Sequence, residues 1–281
     1  MIKLNDSWLK VKVGDADEID SRDITPGLIF MGDDISPSIT NNYQQNTGMD
    51  GSLFTNSIYN KNTVNAKFAF LFKSWNEFRL KKHAIYKVFM QKSLMRIRTN
   101  VDPYMVKYVR AAQFDIAPLE DGSSYAVFTI PFENPSGYNY SLLRSDSLYT
   151  FDSNGWQFGM NLPMQSLVYT HSEPEFKIFN ASDIKIDPYY QRHDLVLEVN
   201  FEGSGLTVTN KTTSSSWSYS KAATKTDNII LSGITTTFNG EPASANTDYG
   251  NLTLNPGWNE IAVTGATDFT ITFSFPFIYL E

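Results

Sequence analysis

The sequence predicts a mainly β protein of two domains, the first a β-sandwich with one α-helix and a long hairpin, the second an all-strand β-sandwich. Three observations lead there. Apolar and polar residues alternate over most of the chain, the period of half-buried strands. A single segment has helical spacing instead. Beyond residue 165, short strand-like runs follow one another with turn residues between them. The 281 residues, 41% apolar with 20 Phe and 15 Tyr, supply core for two domains and exclude disordered, collagen-like and coiled-coil classes.

In chain order, the clearest strand is the run in which Val64, Ala66, Phe68, Phe70 and Phe72 alternate with Asn65, Lys67, Ala69 and Leu71. The helix follows over Trp75 to Gln91. Trp75, Phe78, Ile85, Val88 and Phe89 recur at helical spacings, Ser74 is a candidate N-cap and Glu77 its capping-box partner. Strands resume at Leu94 to Arg98 and Tyr104 to Ile116, and the Asp121-Gly122 turn returns the chain through Tyr125 to Phe132 as a long hairpin. Asn134-Pro135-Ser136-Gly137 breaks the pattern, and the stretch to about Pro163 is rich in Ser, Tyr and Asn. The domains are therefore placed at 1–140 and 165–281, with a connection over 141–164.

In the second domain strands are expected at Phe176 to Phe179, Asp183 to Ile186, Leu195 to Phe201, Leu206 to Asn210, Asn228 to Leu231, Leu252 to Leu254, Ile261 to Val263 and Phe269 to Phe275. Gly203-Ser204-Gly205, Asn239-Gly240 and Asn255-Pro256-Gly257 separate them. The Thr/Ser-rich run Thr212 to Ser220 reads as a strand with one polar face because Trp217 and Tyr219 lie inside it.

The net charge of −7 is unevenly spread. Residues 1–50 carry four basic and nine acidic side chains, whereas residues 51–110 carry twelve basic ones against Glu77 and Asp102 alone. Such a segment could contact phosphates. The alternative is self-complementarity, in which the acidic start meets the basic stretch within or between subunits. No nucleic-acid motif accompanies the charge, which favours the second. Candidate interface residues are Lys81, Lys82 and Lys87 on the basic side and Asp15, Asp17 and Glu18 on the acidic side.

Catalytic chemistry has few candidates. With no cysteine, disulfides, thiolate metal sites and cysteine nucleophiles are excluded. His83 falls on the polar face of the helix, His171 beside Glu173 and Glu175, and His193 before Asp194, none at metal-ligand spacing. There is no G-x-S-x-G elbow and no phosphate loop, and the pairs Glu173/Glu175 and Asp33/Asp34 read as solvated turns. The expectation is a non-enzymatic protein with no cofactor and no metal. No run approaches about 18 apolar residues, and the polar first segment predicts no cleavable leader and no membrane insertion. Trp217, Tyr219 and Tyr249, with Trp258, are candidate saccharide contacts if they form an exposed platform, and core residues if they do not.

Several segments in order resemble the distal tail proteins (Dit) of long, non-contractile-tailed phages: GMDG at Gly48 to Gly51, VNAKFAFLF, the lone helix before YKVFM, YAVFTIPFENP, WQFGMNLP at Trp156 to Pro163, FKIFNASDIKIDP at Phe176 to Pro188, LTLNPGWNEIAVTG at Leu252 to Gly265, and the terminal FSFPFIYLE. The resemblance implies an N-terminal belt domain that closes a homohexameric ring and a galectin-like C-terminal domain outside it. It implies as partners the tail-tube protein, the tail-associated hub protein and, in some members, receptor-binding proteins, with DNA only in transit through the ring. It places the protein at the distal tail of the virion, after synthesis in the bacterial host cytoplasm. Galectin-like domains of this family generally lack the sugar-binding side chains of lectins, so the fold name alone implies no carbohydrate binding. A carbohydrate-binding module of an adhesion device remains the alternative function.

Overall fold

The structure is a computed structural model that describes residues 7–147 and 155–280. The chain divides into two compact units, the first running through Asn139 and joined by Leu280, the second Tyr140–Tyr279.

Unit 1 contains strands β1 (Leu9–Val13), β2 (Ile19–Asp20), β3 (Leu28–Asp34), β4 (Ile39–Gln44), β5 (Leu53–Tyr59), β6 (Asn62–Leu71), β7 (Met95–Thr99), β8 (Met105–Ala111) and β9 (Tyr125–Asn134), with helices α1 (Ser21–Ile24) and α2 (Trp75–Phe89). Seven of these strands form one antiparallel sheet in the order β2-β1-β7-β8-β9-β6-β3. Alternation drives it: every second residue of β6 is buried, and β6 pairs with β9 from Asn62↔Asn134 to Leu71↔Tyr125. Both ends of the sheet bury into one core, where Leu9, Val11 and Ile97 join Phe30, Phe68 and Phe132.

Helix α2 closes that core. Ser74 Oγ accepts from the Glu77 amide at 3.2 Å, and the Glu77 carboxylate accepts from the Lys73 amide at 2.7 Å, one residue short of the reciprocal bond expected of a capping box. Phe78, Ile85 and Phe89 face the sheet, with Phe78 on Phe70 and Phe89 on Phe68 and Phe132 at 5.6–5.9 Å between ring centroids. Trp75 does not join the stripe. It is 60% exposed, because at the first helical position its ring lies flat on Phe78 rather than beneath it.

The β8–β9 hairpin is looser than the sequence implies. Between the two strands Arg110↔Glu133 and Ala111↔Phe132 pair, and residues 112–124 then run irregularly, meeting β9 again at the single bridge Pro118↔Ala126.

Unit 2 contains β10 (Asn139–Ser141), β11 (Thr170–His171), β12 (Glu175–Asn180), β13 (Val196–Glu202), β14 (Leu206–Asn210), β15 (Ser215–Tyr219), β16 (Ile229–Ser232), β17 (Thr235–Phe238), β18 (Glu241–Pro242), β19 (Gly257–Thr264), β20 (Asp268–Ser274) and β21 (Ile278–Tyr279), with the short helix α3 (Pro188–Gln191). Two antiparallel sheets, β11-β20-β13-β16-β17-β18 and β12-β19-β14-β15, form a sandwich. Trp217 and Phe273 are fully buried between them, and the Trp217 indole N–H donates across to Thr236 Oγ at 3.3 Å. Asp183 to Ile186 and Leu252 to Leu254 are not strands; a single bridge, Ile186↔Leu254, joins them.

The Asn-Pro-Gly turn is built by buried amides. Asn259, fully buried, accepts from the Asn255 amide and from Asn210 Nδ2 while donating to the carbonyls of Asn255 and Gly257. This satisfies every polar group of an inward-facing Asn, which explains a polar residue in the middle of an apolar strand face.

The described part of 141–164 is not a connection but an integral part of unit 2. Ser141 and Ser145 exchange hydrogen bonds with the backbone of Phe277 and of Phe273 and Phe275, and Arg144 binds Ser274 and Asp194. Met160 is buried, with its carbonyl accepting from the Tyr279 hydroxyl. β10 pairs with β21, and beyond it serine hydroxyls supplement a few backbone hydrogen bonds in place of a continuous ladder, so no sustained hydrophobic alternation appears. The remainder of that predicted connection, 148–154, lies outside the described residues.

Candidate interaction surface

The most unusual feature is the hairpin β4–β5. It forms a two-stranded sheet of its own, and all thirteen of its strand residues are exposed. Gly48 and Gly51 in its loop have φ of +85° and +81°, values natural for glycine, which is what the GMDG motif provides. The register pairs Ile39 with Tyr59, Asn41 with Ser57 and, past a bulge, Tyr43 with Phe54 on one face. The other face pairs Thr40 with Ile58, Asn42 with Asn56 and Gln44 with Leu53.

The two faces differ chemically. Ile39, Tyr43 and Phe54 are 53–60% exposed on the first, with Tyr43 and Phe54 in edge contact at 5.9 Å. On the second, Asn42 donates to Asn56 at 2.9 Å and Thr55 to the Asn42 carbonyl. Asp50 is the only charge between residues 39 and 59. An isolated two-stranded hairpin is marginal in water, and a neutral, apolar-studded one exposed on both faces is a surface made to be covered.

This hairpin was not among the expected strands. Its polar residues sit on both faces and break the alternation that identifies a half-buried strand; the GMDG turn flanked by ITNNYQ and SLFTNSIY was the available signal.

The predicted interface residues separate into free and engaged groups. Lys81 is a correction: it is buried on the core side of α2, where Nζ donates to the carbonyls of Pro26 and Leu71 at 2.7 and 2.8 Å and pairs with Glu77 at 3.0 Å. Its position three residues after Phe78 and four before Ile85 puts it on the buried stripe, and it caps two carbonyls there rather than facing a partner. Lys82 is engaged with Asp115 and the Ile116 carbonyl. Glu18 is engaged with Arg96 and Arg98. Burial is the largest influence on the Glu18 carboxyl and raises its pKa, but hydrogen bonds and charge from Arg98 and Arg96 outweigh it, so the net shift is downward. Lys87, Asp15 and Asp17 are exposed.

The saccharide candidates are also corrected. Trp217 and Tyr219 are 0% and 3% exposed, on the inner face of their sheet, and offer no surface to a sugar. Tyr249 is exposed at a left-handed turn, φ +56°. Trp258 is 43% exposed on the outer face of the four-stranded sheet.

Of the histidines, His83 is exposed on the helix and His171 stacks on Phe176. His193 is 3% exposed, with Nε2 at 2.9 Å from the Pro276 carbonyl and Nδ1 without a partner. Among the described residues no three His, Asp or Glu side chains gather as a metal site, and no helix is long and apolar enough to cross a membrane.

Comparison with known proteins gives one domain match and several structural ones. Residues 19–134 match the phage tail protein RIFT-related domain. No curated protein matches the chain in sequence. Among solved structures, the crystal structure of SPP1 Dit (gp 19.1), described as a paradigm of the hub adsorption apparatus in phages infecting Gram-positive bacteria, superposes with a TM-score of 0.68 at 10% identity over 96% of this chain and 99% of that one. A chain of the phage p2 baseplate in its activated, Sr-bound conformation aligns at 10% identity over 95% of this chain and 97% of that one, with a TM-score of 0.44.

Proposed function

We propose that this chain, which carries a phage tail protein domain over residues 19–134 and has the fold of a siphophage distal tail protein, is a structural component of the distal tail or baseplate and acts by closing a ring of its own copies. The observation that carries the reading is the β4–β5 hairpin, uncovered on both faces within one copy. In a ring, contacts are heterologous: one surface of each subunit meets a different surface of the next. A hairpin exposed on both faces suits that role, since it can lie on a neighbour without a symmetric counterpart.

Magnitudes support it. Fully burying a Phe, Ile or Leu side chain stabilises by about 1.5–3 kcal/mol. Ile39, Tyr43, Leu53, Phe54 and Ile58 are each about half exposed, so covering them contributes roughly 5 kcal/mol per contact. Closure of a six-membered ring repeats that contact six times. Unit 1 would then be the ring-forming belt and unit 2 the galectin-like domain. The partners proposed are the tail-tube protein, the hub protein and receptor-binding proteins, the last on unit 2. DNA would pass through and turn over nothing, with no catalytic step, cofactor or metal in this role. The site of action is the virion tail tip, after synthesis in the host cytoplasm.

Native mass spectrometry of the purified full chain tests the ring. Hexamers, or pairs of hexamers, are expected, and Ile39→Ser, Tyr43→Ser and Phe54→Ser combined should leave monomers with an unchanged circular dichroism spectrum. A wild-type chain that stays monomeric at micromolar concentration in low salt defeats the reading.

A further inference from the structure

The outer face of the four-stranded sheet in unit 2 carries a second surface feature, apart from the β4–β5 hairpin. Cross-strand partners Phe179 and Trp258 form an aromatic pair there, 5.1 Å apart at 66°. One step further along the same two strands, Lys177 and Glu260 form an ion pair at 3.0 Å, and Lys211 meets Glu175 at 2.6 Å beside it. All four charged groups are 47–72% exposed and cancel to zero net charge. Thr207, Thr209, Ser216 and Ser218 continue the face on β14 and β15, because they alternate with the inward Val208 and Trp217.

We infer that this face binds a neutral saccharide, with a pyranose ring lying on Trp258 and its hydroxyls reaching Glu260 and Lys177. The chemistry is specific to each part. The face of an indole is electron-rich and attracts the polarised C–H groups of a sugar ring, as it attracts other positive edges. Two residues along a strand is a rise of about 6.8 Å, which sets the charged pair about one pyranose ring away from the indole. There, a carboxylate accepts and an ammonium donates, so adjacent hydroxyls, each donor and acceptor at once, find both partners. Zero net charge gives the face no preference for phosphate-rich or uronic polymers over neutral sugars. Trp75, exposed at the start of helix α2, lacks this setting, since its ring is stacked flat on Phe78 at 4.9 Å.

The test is titration of the full-length protein with lactose, N-acetylglucosamine trimer and maltotriose, followed by indole N–H resonances and by tryptophan emission. At least one sugar should shift the Trp258 signal saturably, with a Kd of order 1 mM, typical of a shallow site that gains about 4 kcal/mol. Trp258→Ala should weaken binding at least tenfold, Trp258→Tyr should retain part of it, and Glu260→Gln should weaken it with an unchanged melting temperature. Absence of any shift at tens of millimolar of all three sugars overturns the proposal. So does a shift that survives Trp258→Ala. Protection of Trp258 from radical footprinting in assembled tails without any sugar response assigns the face to a protein contact, and equally overturns it.

Discussion

Acid should selectively weaken unit 2 through His193. Burial is the dominant influence on this imidazole and pushes its pKa from 6.5 down to about 4; the hydrogen bond to the Pro276 carbonyl and the Asp194 carboxylate act the other way, and Arg144 adds slightly to the depression. The folded state therefore holds His193 neutral in a window where the unfolded chain protonates it. Between pH 6.5 and about 4 the unfolded state binds more protons, so stability falls as pH falls through that window, and no further loss from this group follows below it. A drop of about 2.5 units at about 1.4 kcal/mol each gives roughly 3 kcal/mol by pH 4. Exchanging His193 for Gln, which keeps a donor for the Pro276 carbonyl and cannot titrate, should remove that component. The assay is urea unfolding followed by tryptophan emission at pH 7, 5.5 and 4, comparing wild type with His193→Gln. Carboxylates contribute equally to both proteins and cancel in the difference. Parallel pH profiles for the two proteins would refute the reasoning.

Other substitutions probe unit 1. Phe78→Ala removes a ring packed on Phe70 and Phe72 and should cost about 3–5 kcal/mol, read as a large drop in the thermal midpoint. Lys81→Met should cost about 1–3 kcal/mol in urea unfolding because the carbonyls of Pro26 and Leu71 lose their donor, whereas Lys87→Met, at an exposed site, should stay within about 0.5 kcal/mol. At Gly137, φ is +74° and an added Cβ would sit 2.1 Å from the Asn60 carbonyl oxygen, so Gly137→Ala should destabilise the base of the hairpin by at least about 1–3 kcal/mol, visible as faster amide exchange around Asn60.

What could be read along the chain was what neighbouring residues settle among themselves. Helix α2 was legible because its cap, Ser74, and its stripe, Phe78, Ile85 and Phe89, act within a few turns. The strands β6, β13, β14 and β20 were legible because one face of each is buried, and alternation records that burial directly. The strands β1 and β3 bury Leu9, Val11, Leu28 and Phe30 on one face but are short runs among polar and acidic residues, and neither was among the expected strands. Two further segments were missed because their burial is not one-sided. The hairpin β4–β5 is exposed on both faces and so has no alternation. The segment from Tyr140 to Ser147 is held by serine hydroxyls to the strand region around Phe275, more than a hundred residues away, which no local pattern can encode.

The candidate site divides the same way. Composition and spacing determined that the chain is mainly β, has one substantial helix, lacks thiol chemistry and carries opposite charge in successive segments. Only the tertiary structure decided which charges are free, because a lysine finds its partner through space: Lys81 turns inward to two carbonyls, Glu18 takes two arginines, and Lys87, Asp15 and Asp17 stay exposed. It decided the aromatics likewise. Trp217 and Trp258 are the same residue type in the same sandwich, but one strand turns its ring into the core and the other turns its ring to solvent, a difference fixed by strand register and sheet packing.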